Sequence, residues 1–128
     1  MKYYLINHSW ESFQKTKEYC GFVNKEERDI VNIGDTIIYF GQGVVFGIFK
    51  IVKLVDDEYN GWKKPYSYQI KLSPILLSPR GLGAKQLQDK FKLLREDNTY
   101  RNIIELTENE YNLIKQGIEE NKKEIKIE

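Results

Sequence analysis

The chain has 128 residues, of which 41% are hydrophobic and 30% charged, with a formal net charge of +1. These values are ordinary for one globular domain, which at this length buries about two-thirds of the surface that its unfolded chain exposes. The single Cys20 and the single His8 exclude an intramolecular disulfide and the usual Cys/His metal sites. With no long apolar run and no signal-peptide pattern, we expect a cytoplasmic protein without membrane or metal partners.

The first predicted elements are a short strand and a short helix. The strand runs from Lys2 to Asn7, and Ser9 is a suitable N-cap for the helix because its hydroxyl can accept a hydrogen bond from a first-turn N–H. Trp10 and Phe13 fall on one stripe of that helix. We expect the helix to end near Tyr19.

A β-hairpin at residues 33–51 is the clearest element of the sequence. Val, Ile, Phe and Tyr dominate both arms, and Gly41-Gln42-Gly43 between them offers the positive φ values of a tight reversal. Before the hairpin, residues 20–23 are predicted as a break and the charged run 25–29 as an exposed turn or loop. Asp35 is expected to cap the turn into the hairpin.

The second half of the chain is predicted to add two strands and two helices. After a loop at 59–65, residues 66–72 alternate apolar and polar side chains, as in a half-buried strand. Pro74 begins an irregular connection, and helical spacing resumes from about Ala84. A last strand is expected at 101–106.

A capping box begins the final helix. Thr107 and Glu110 stand three residues apart, so each side chain can bond the backbone N–H of the other residue. The apolar stripe that follows comprises Tyr111, Leu113, Ile114 and Ile118. We therefore predict one domain at 1–118 and a charged C-terminal tail at 119–128 that frays.

Positive charge is concentrated in the middle of the chain. Residues 59–104 carry nine basic and three acidic side chains, whereas the flanking segments are net acidic. A basic stripe suits a phosphate backbone, since each contact releases counterions, but a solvated charged face has the same composition. The basic residues are Lys63, Lys64, Lys71, Arg80, Lys85, Lys90, Lys92, Arg95 and Arg101.

The parts follow one another in a definite order. They are the strand ending in Asn7, the helix with Trp10, the Gly21 break, the Gly34-Asp35 turn into the hairpin, the strand entered at Pro65-Tyr66 and ending in Leu72-Ser73-Pro74-Ile75, and the helix start at Leu106–Tyr111. This order and spacing resemble the EVE domain of the PUA-like superfamily, in its small stand-alone prokaryotic form. The resemblance covers residues 2–116.

The resemblance implies an α+β fold, namely a strongly curved PUA-like β-barrel flanked by helices. It also implies a relationship to YTH domains, which hold a modified base in an aromatic cage. The implied function is non-enzymatic binding of DNA or RNA, in which a base leaves the stack and is read between aromatic faces. No cofactor is implied.

The implied base pocket draws on several parts of the chain: Asn7, Trp10, Cys20, Gly21, Phe22, Tyr39 and Trp62. Cys20 stands where relatives often carry an aromatic residue, so Tyr19 or Phe22 would have to supply that wall. Strand parity sends Tyr39 and Phe40 to opposite faces, and we assign Tyr39 to the pocket because a buried hydroxyl needs a partner. Backbone contacts are assigned to Lys63, Lys64, Arg80 and Lys85.

Three of these residues have structural alternatives. Asn7 also suits a strand-ending turn, Trp10 suits a core stripe, and Trp62 suits packing against the barrel. Two further functions remain open. One is a PUA-like RNA-binding protein without selectivity for modified bases, and the other is a protein-interaction or regulatory domain with a vestigial pocket.

Enzymatic functions have little support in the sequence. Cys20 and His8 are the only thiol and imidazole, and His8 has no evident orienting acid. Gly41-Gln42-Gly43 and Gly81-Leu82-Gly83 lack the pattern of a phosphate-binding loop. We therefore predict a protein that binds and does not catalyse, with Cys20 a buried structural thiol.

Overall fold

The computed structural model describes residues 1–41, 44–63, 65–83 and 103–126, with side chains described up to residue 78 and from 103 to 120. Within these residues the chain forms six strands and three helices. In chain order they are β1 (Tyr3–Asn7), α1 (Trp10–Lys15), β2 (Tyr19–Phe22), α2 (Lys25–Arg28), β3 (Thr36–Gly41), β4 (Val44–Asp56), β5 (Tyr68–Gly83), β6 (Ile103–Leu106) and α3 (Glu108–Lys126).

The six strands form one sheet that curls into a half-barrel. Their order is β2-β5-β4-β3-β1-β6, and the pairing of β1 with β3 is parallel whereas all the others are antiparallel. The parallel pair sets Asn7 opposite Phe40, so the end of β1 lies beside the end of β3. The predicted α+β class, the hairpin and the curved sheet are confirmed.

The sheet buries side chains on both faces, because every residue of β3 is buried. Since successive side chains of a strand point in opposite directions, Tyr39 lies in the core beneath α1 and Phe40 in the core beneath α3. Phe13 is the buried residue of α1. The buried stripe of α3 comprises Tyr111, Ile114 and Ile118.

A bulge in β4 shapes the core beneath α1. Tyr39 pairs with Gly47 and Phe40 with Val45, so Phe46 has no partner in β3. An extra residue of this kind rotates the strand, and Phe46 therefore shares a face with Phe49, three positions on.

Three predictions for the segment before the hairpin are wrong: one helix end and two element types. The helix α1 ends at Lys15 rather than near Tyr19, because Thr16 is already extended with φ −155° and ψ 136°. The predicted break at 20–23 is instead occupied mostly by β2, which pairs with β5. The charged run is a short helix, α2, because the Asn24 side chain accepts a hydrogen bond from the Glu27 N–H and caps it.

Strand β5 extends beyond the predicted end. Pro74 lies within it opposite Phe49, where the register shifts and a missing N–H is tolerated. The helix expected from Ala84 lies outside the described residues, as do Gln42 and Gly43. Gly41 itself does not adopt a positive φ, so that part of the turn prediction is wrong.

Several local predictions are confirmed. The capping box forms, with Thr107 N–H donating to Glu110 Oε1 at 3.1 Å and Glu110 N–H to Thr107 Oγ1 at 3.2 Å. Asp35 caps its turn by accepting the Asn32 N–H at 2.9 Å. The last strand forms at Ile103–Leu106.

The final helix differs from the prediction at one side chain. Leu113 is 50% exposed, since it lies off the stripe that Tyr111, Ile114 and Ile118 form. The helix includes residues 119–126 of the segment for which we predicted a fraying tail. The division into 1–118 and 119–128 stays a prediction.

Candidate functional site

A pocket of about 180 Å³ opens between α1 and the loop that joins β4 to β5. We call this loop, residues 57–67, the Trp62 loop. The pocket is lined by Ser9, Glu11, Ser12, Lys15, Trp62, Lys63 and Tyr66. Hydroxyl, charged and aromatic groups therefore converge on one small space.

The helix α1 supplies the polar wall of the pocket. Ser9 is its N-cap, and the Ser9 hydroxyl accepts the Ser12 N–H at 3.1 Å. A hydroxyl that accepts in this way still has its own hydrogen to donate. Ser12 and Lys15 follow at helical spacing, so they lie on one side of α1.

The Trp62 loop supplies the aromatic wall. The Trp62 ring is held edge-on between Tyr59, with ring centroids 4.6 Å apart, and Tyr66, at 5.4 Å. Tyr59 in turn stacks on Tyr19 at 5.5 Å and donates its hydroxyl to the Lys15 carbonyl at 3.3 Å. The indole Nε1 of Trp62 is buried, and no described residue accepts its hydrogen.

Gly21 lies under the aromatic wall. A Cβ at this position would come within 2.6 Å of the Tyr66 Cβ, closer than two carbon atoms can pack. A glycine is therefore required for Tyr66 to lie this close to β2.

One carboxylate serves both lysines of the pocket. Glu11 Oε1 lies 3.3 Å from Lys63 Nζ and 3.9 Å from Lys15 Nζ. The Lys63 and Glu11 side chains are 81% and 57% exposed, so these ion pairs are solvated and weak. With two lysines and one carboxylate, the pocket mouth carries a net positive charge. An anion from solution can compete with Glu11 for both lysines.

An aromatic core lies behind α1 and includes His8. The imidazole lies 5.9 Å from the Phe22 ring and 5.8 Å from the Tyr39 ring, and no described residue bonds its buried Nε2. Burial lowers the pKa of His8 to about 4, so the ring is neutral at pH 7. The His8 backbone carbonyl lies against Gly41. A Cβ on residue 41 would collide with the carbonyl oxygen, so this contact requires a glycine.

Burial also keeps the Cys20 thiol protonated and therefore unreactive. Cys20 is 1% exposed, and desolvation raises the pKa of its thiol well above the ordinary value. A thiol that stays protonated and an imidazole that stays neutral do not form a nucleophilic ion pair.

The structure separates the predicted pocket residues into two groups. Trp62 and Lys63 line the pocket, and Gly21 lies directly beneath it. The others lie elsewhere: Cys20, Phe22 and Tyr39 are in the core, Trp10 is 41% exposed and packs on Phe46 at 4.7 Å, and Asn7 ends β1. Their part in binding a base stays a prediction.

Three of the predicted backbone-binding lysines and arginines cannot be placed. Lys64 and Lys85 lie outside the described residues, and Arg80 is described only as part of the β5 backbone. Their assignment to a nucleic-acid backbone also stays a prediction.

Sequence reasoning missed most of the polar wall. Glu11, Ser12 and Lys15 carry a weak signal, because Glu11 and Ser12 are polar and stand four and three positions before Lys15, on the side of α1 away from Phe13. Tyr66 was recognised only as the start of a strand. Its place in the wall depends on the course of the Trp62 loop, which the sequence does not reveal.

Two further features are absent from the described residues. No group of three or more His, Cys, Asp or Glu side chains there is arranged to hold a metal ion. None of the helices in that part of the chain is long and apolar enough to cross a membrane.

Comparison with known proteins identifies the fold. No protein-family model and no curated protein sequence matches the chain. A hypothetical protein from Leishmania major matches in structure with a TM-score of 0.69 and 16% identity, over 95% of this chain and 97% of that one. The likeness covers almost the whole of both chains.

Two further neighbours were solved with nucleic acid. The YTH domain of Zygosaccharomyces rouxii MRB1, in complex with N6-methyladenosine RNA, has a TM-score of 0.71 and 11% identity over 91% of this chain and 86% of that one. Human THYN1, in complex with DNA containing 5-methylcytosine, has a TM-score of 0.57 and 12% identity over 89% and 95%. The expected fold is confirmed, since the chain has the fold of this YTH domain and of THYN1.

Proposed function

We propose that this chain, which has the PUA-like fold of the YTH and THYN1 domains, binds nucleic acid and holds one extruded, modified base. The base would occupy the pocket between α1 and the Trp62 loop, and the protein would act by binding, without catalysis. The observation that carries the proposal is the lining of this pocket, which combines the rings of Trp62 and Tyr66 with the Ser9 and Ser12 hydroxyls and two lysines.

The size of the pocket suits one base. A space of about 180 Å³ holds roughly six water molecules at liquid density. It is smaller than the roughly 300–1,000 Å³ of pockets that take drug-sized ligands. A single planar ring system fits this space.

The chemistry of the walls suits a base as well. The Ser9 and Ser12 hydroxyls can donate to or accept from a base edge. The rings of Trp62 and Tyr66 offer apolar surface to its faces.

The lysines at the mouth suit the flanking phosphates. Lys63 and Lys15 approach the pocket from opposite walls and share one exposed carboxylate. A phosphate can displace Glu11 from both, because an exposed ion pair of this kind contributes less than about 1 kcal/mol.

The test is a titration with short single-stranded oligonucleotides that differ in one central base. The set pairs adenine with N6-methyladenine and cytosine with 5-methylcytosine, as DNA and as RNA, and binding is followed by anisotropy of a labelled strand. We expect one modified base to bind at least about tenfold more tightly than its parent, a difference of about 1.4 kcal/mol. A preference below about threefold for every modification contradicts the proposal.

A pair of variants locates the site. Trp62→Ala should weaken binding by about tenfold to a hundredfold, since stacking of one base contributes about 1–3 kcal/mol. Leu113→Ala, an exposed residue of α3 on the other face of the sheet, is the matched control and should leave binding unchanged.

The remaining outcomes distinguish the alternatives. Equal, strongly salt-dependent binding of all oligonucleotides favours an RNA- or DNA-binding protein that reads only the backbone. No binding to any of them favours a protein-interaction domain with a vestigial pocket.

A further inference from the structure

Gln69 is a fully buried polar residue at the base of the Trp62 loop. It lies in β5, paired with Gly21 of β2 on one side and Val55 of β4 on the other, and its exposure is 0%. A buried primary amide costs free energy unless its hydrogen-bonding groups are matched, so the partners of Gln69 are informative.

Among the described residues, the hydrogen-bond partners of the Gln69 side chain all belong to the backbone of the Trp62 loop. Oε1 accepts the Tyr59 N–H at 2.9 Å, while Nε2 donates to the Tyr59 carbonyl at 2.8 Å and to the Tyr66 carbonyl at 2.6 Å. This pattern also fixes the orientation of the amide, because the reverse would set its oxygen against two carbonyls.

The two residues that Gln69 holds are the two that flank Trp62. The rings of Tyr59 and Tyr66 meet the Trp62 ring edge-on from either side. The loop is closed below them by one further bond, from the Asp57 N–H to the Ser67 carbonyl at 2.8 Å. The backbone positions of both flanking rings thus depend on one side chain.

We propose that Gln69 is a positioning residue for the base pocket. Without touching the ligand, it fixes Tyr59 and Tyr66 and thereby the depth and tilt of Trp62. This inference rests on the proposed function. It means that Gln69, which does not line the pocket, contributes to the affinity for the base through the residues that it positions. A mutation there should affect recognition of the base and leave attraction to phosphates intact.

The test compares Gln69→Met with a core variant of similar stability. Methionine keeps the length of the side chain and removes all three hydrogen bonds. Ile114→Val, in the core beneath α3, is the control. Each variant is titrated at a temperature at which the two have the same free energy of unfolding. Both are titrated with the oligonucleotide that the wild-type protein binds best, over a range of salt concentrations.

We expect Gln69→Met to weaken binding about tenfold with an unchanged salt dependence, and Ile114→Val to bind within twofold of wild type. In a Trp10→Phe background, quenching of the remaining Trp62 fluorescence by acrylamide should increase in Gln69→Met alone. Gln69→Asn, which keeps a neutral amide but shortens its reach by one methylene, repeats the test with a smaller change if the methionine variant does not fold.

The outcomes separate the two proposals. Wild-type binding together with an equally tight Gln69→Met overturns the positioning role and leaves the proposed function standing. Equal losses in Gln69→Met and Ile114→Val reduce Gln69 to a stabilising residue and overturn it too. If the wild-type protein binds none of the oligonucleotides, the proposed function is wrong and the inference falls with it.

Discussion

Gly21 and Tyr66 pack so closely that a Cβ on residue 21 would lie 2.6 Å from the Cβ and 2.8 Å from the Cγ of the tyrosine. These are the inner atoms of the Tyr66 side chain, which cannot swing aside as the end of a flexible chain can. The contact joins β2 to the Trp62 loop. Strand β2 therefore sets the position of one wall of the pocket.

Gly21→Ala should displace Tyr66 and damage the pocket. Overpacking of this kind costs about 1–3 kcal/mol, so we expect a lower melting temperature together with weaker binding of the preferred oligonucleotide. Ser67→Ala, an exposed change in the same loop, is the control and should affect neither. An unchanged melting temperature and affinity in Gly21→Ala would mean that the backbone relaxes freely at this contact.

His8 should make stability depend on pH below neutrality. Its pKa is about 4 in the folded protein and about 6.5 when unfolded, because burial opposes the charged ring. Between these values the unfolded chain binds more protons, so stability is fully present above pH 6.5 and declines as the pH falls toward 4. The full decline corresponds to roughly 3 kcal/mol.

The measurement is urea unfolding of wild type and His8→Phe between pH 7 and 5, a range above most carboxylate titration. Phenylalanine suits the surroundings, which include the rings of Phe22 and Tyr39. We expect a flatter profile for His8→Phe than for wild type. Identical slopes would show that His8 does not titrate in this range.

Arg28 should stabilise the junction of α2 and β4. Its Nη1 donates to the Val55 carbonyl and to Asp56 Oδ1, each at 2.8 Å, and the side chain is only 7% exposed. Arg28→Met leaves the Val55 carbonyl without its donor, whereas the Asp56 carboxylate, 65% exposed, remains solvated. We expect a loss of about 2 kcal/mol, below the 3–5 kcal/mol of a fully buried broken pair.

Chemical unfolding of Arg28→Met checks this value against Lys25→Met, an exposed change on the same helix. The control should stay within about 0.5 kcal/mol of wild type. Equal effects of the two substitutions would contradict a specific role for the buried guanidinium.

Glu11→Gln should release the two lysines at the pocket mouth. Because the Glu11 ion pairs are exposed, we expect stability to change by less than about 0.5 kcal/mol. Affinity for oligonucleotides at low salt should rise severalfold, with a salt dependence steeper by up to about one counterion. Glu26→Gln, on the exposed side of α2, controls for net charge, and an equal gain there would show that the effect is general.

Sequence patterns predicted the hairpin and the capping box because each depends on residues close together in the chain. Thr107 and Glu110 satisfy each other across three positions, and the apolar run of β3 is buried on either face. The errors arose where a distant partner decides the local structure. Tyr19–Phe22 forms a strand only because β5 supplies its hydrogen bonds, despite the glycine.

The candidate site also has parts that local sequence indicates and parts that tertiary packing decides. The sequence singles out a loop tryptophan beside a lysine as candidates for binding; both line the pocket, and their part in binding stays a prediction. The assignment of Tyr39 to the pocket followed from its parity on β3, but parity fixes only a face, and that face is covered by Phe13 and Phe46. Burial of Tyr39 at 1% exposed is thus a result of α1 packing over the strand.

By itself the sequence determined the class of fold, the main strands and the absence of a second thiol or imidazole. Only the tertiary structure decided which aromatic rings meet α1, and that the Gln69 side chain makes three hydrogen bonds to the backbone of the loop that precedes β5. The physical reason is range. Periodicity and capping depend on residues up to about four positions apart in the chain, whereas a pocket is formed by side chains that the closure of the sheet brings together.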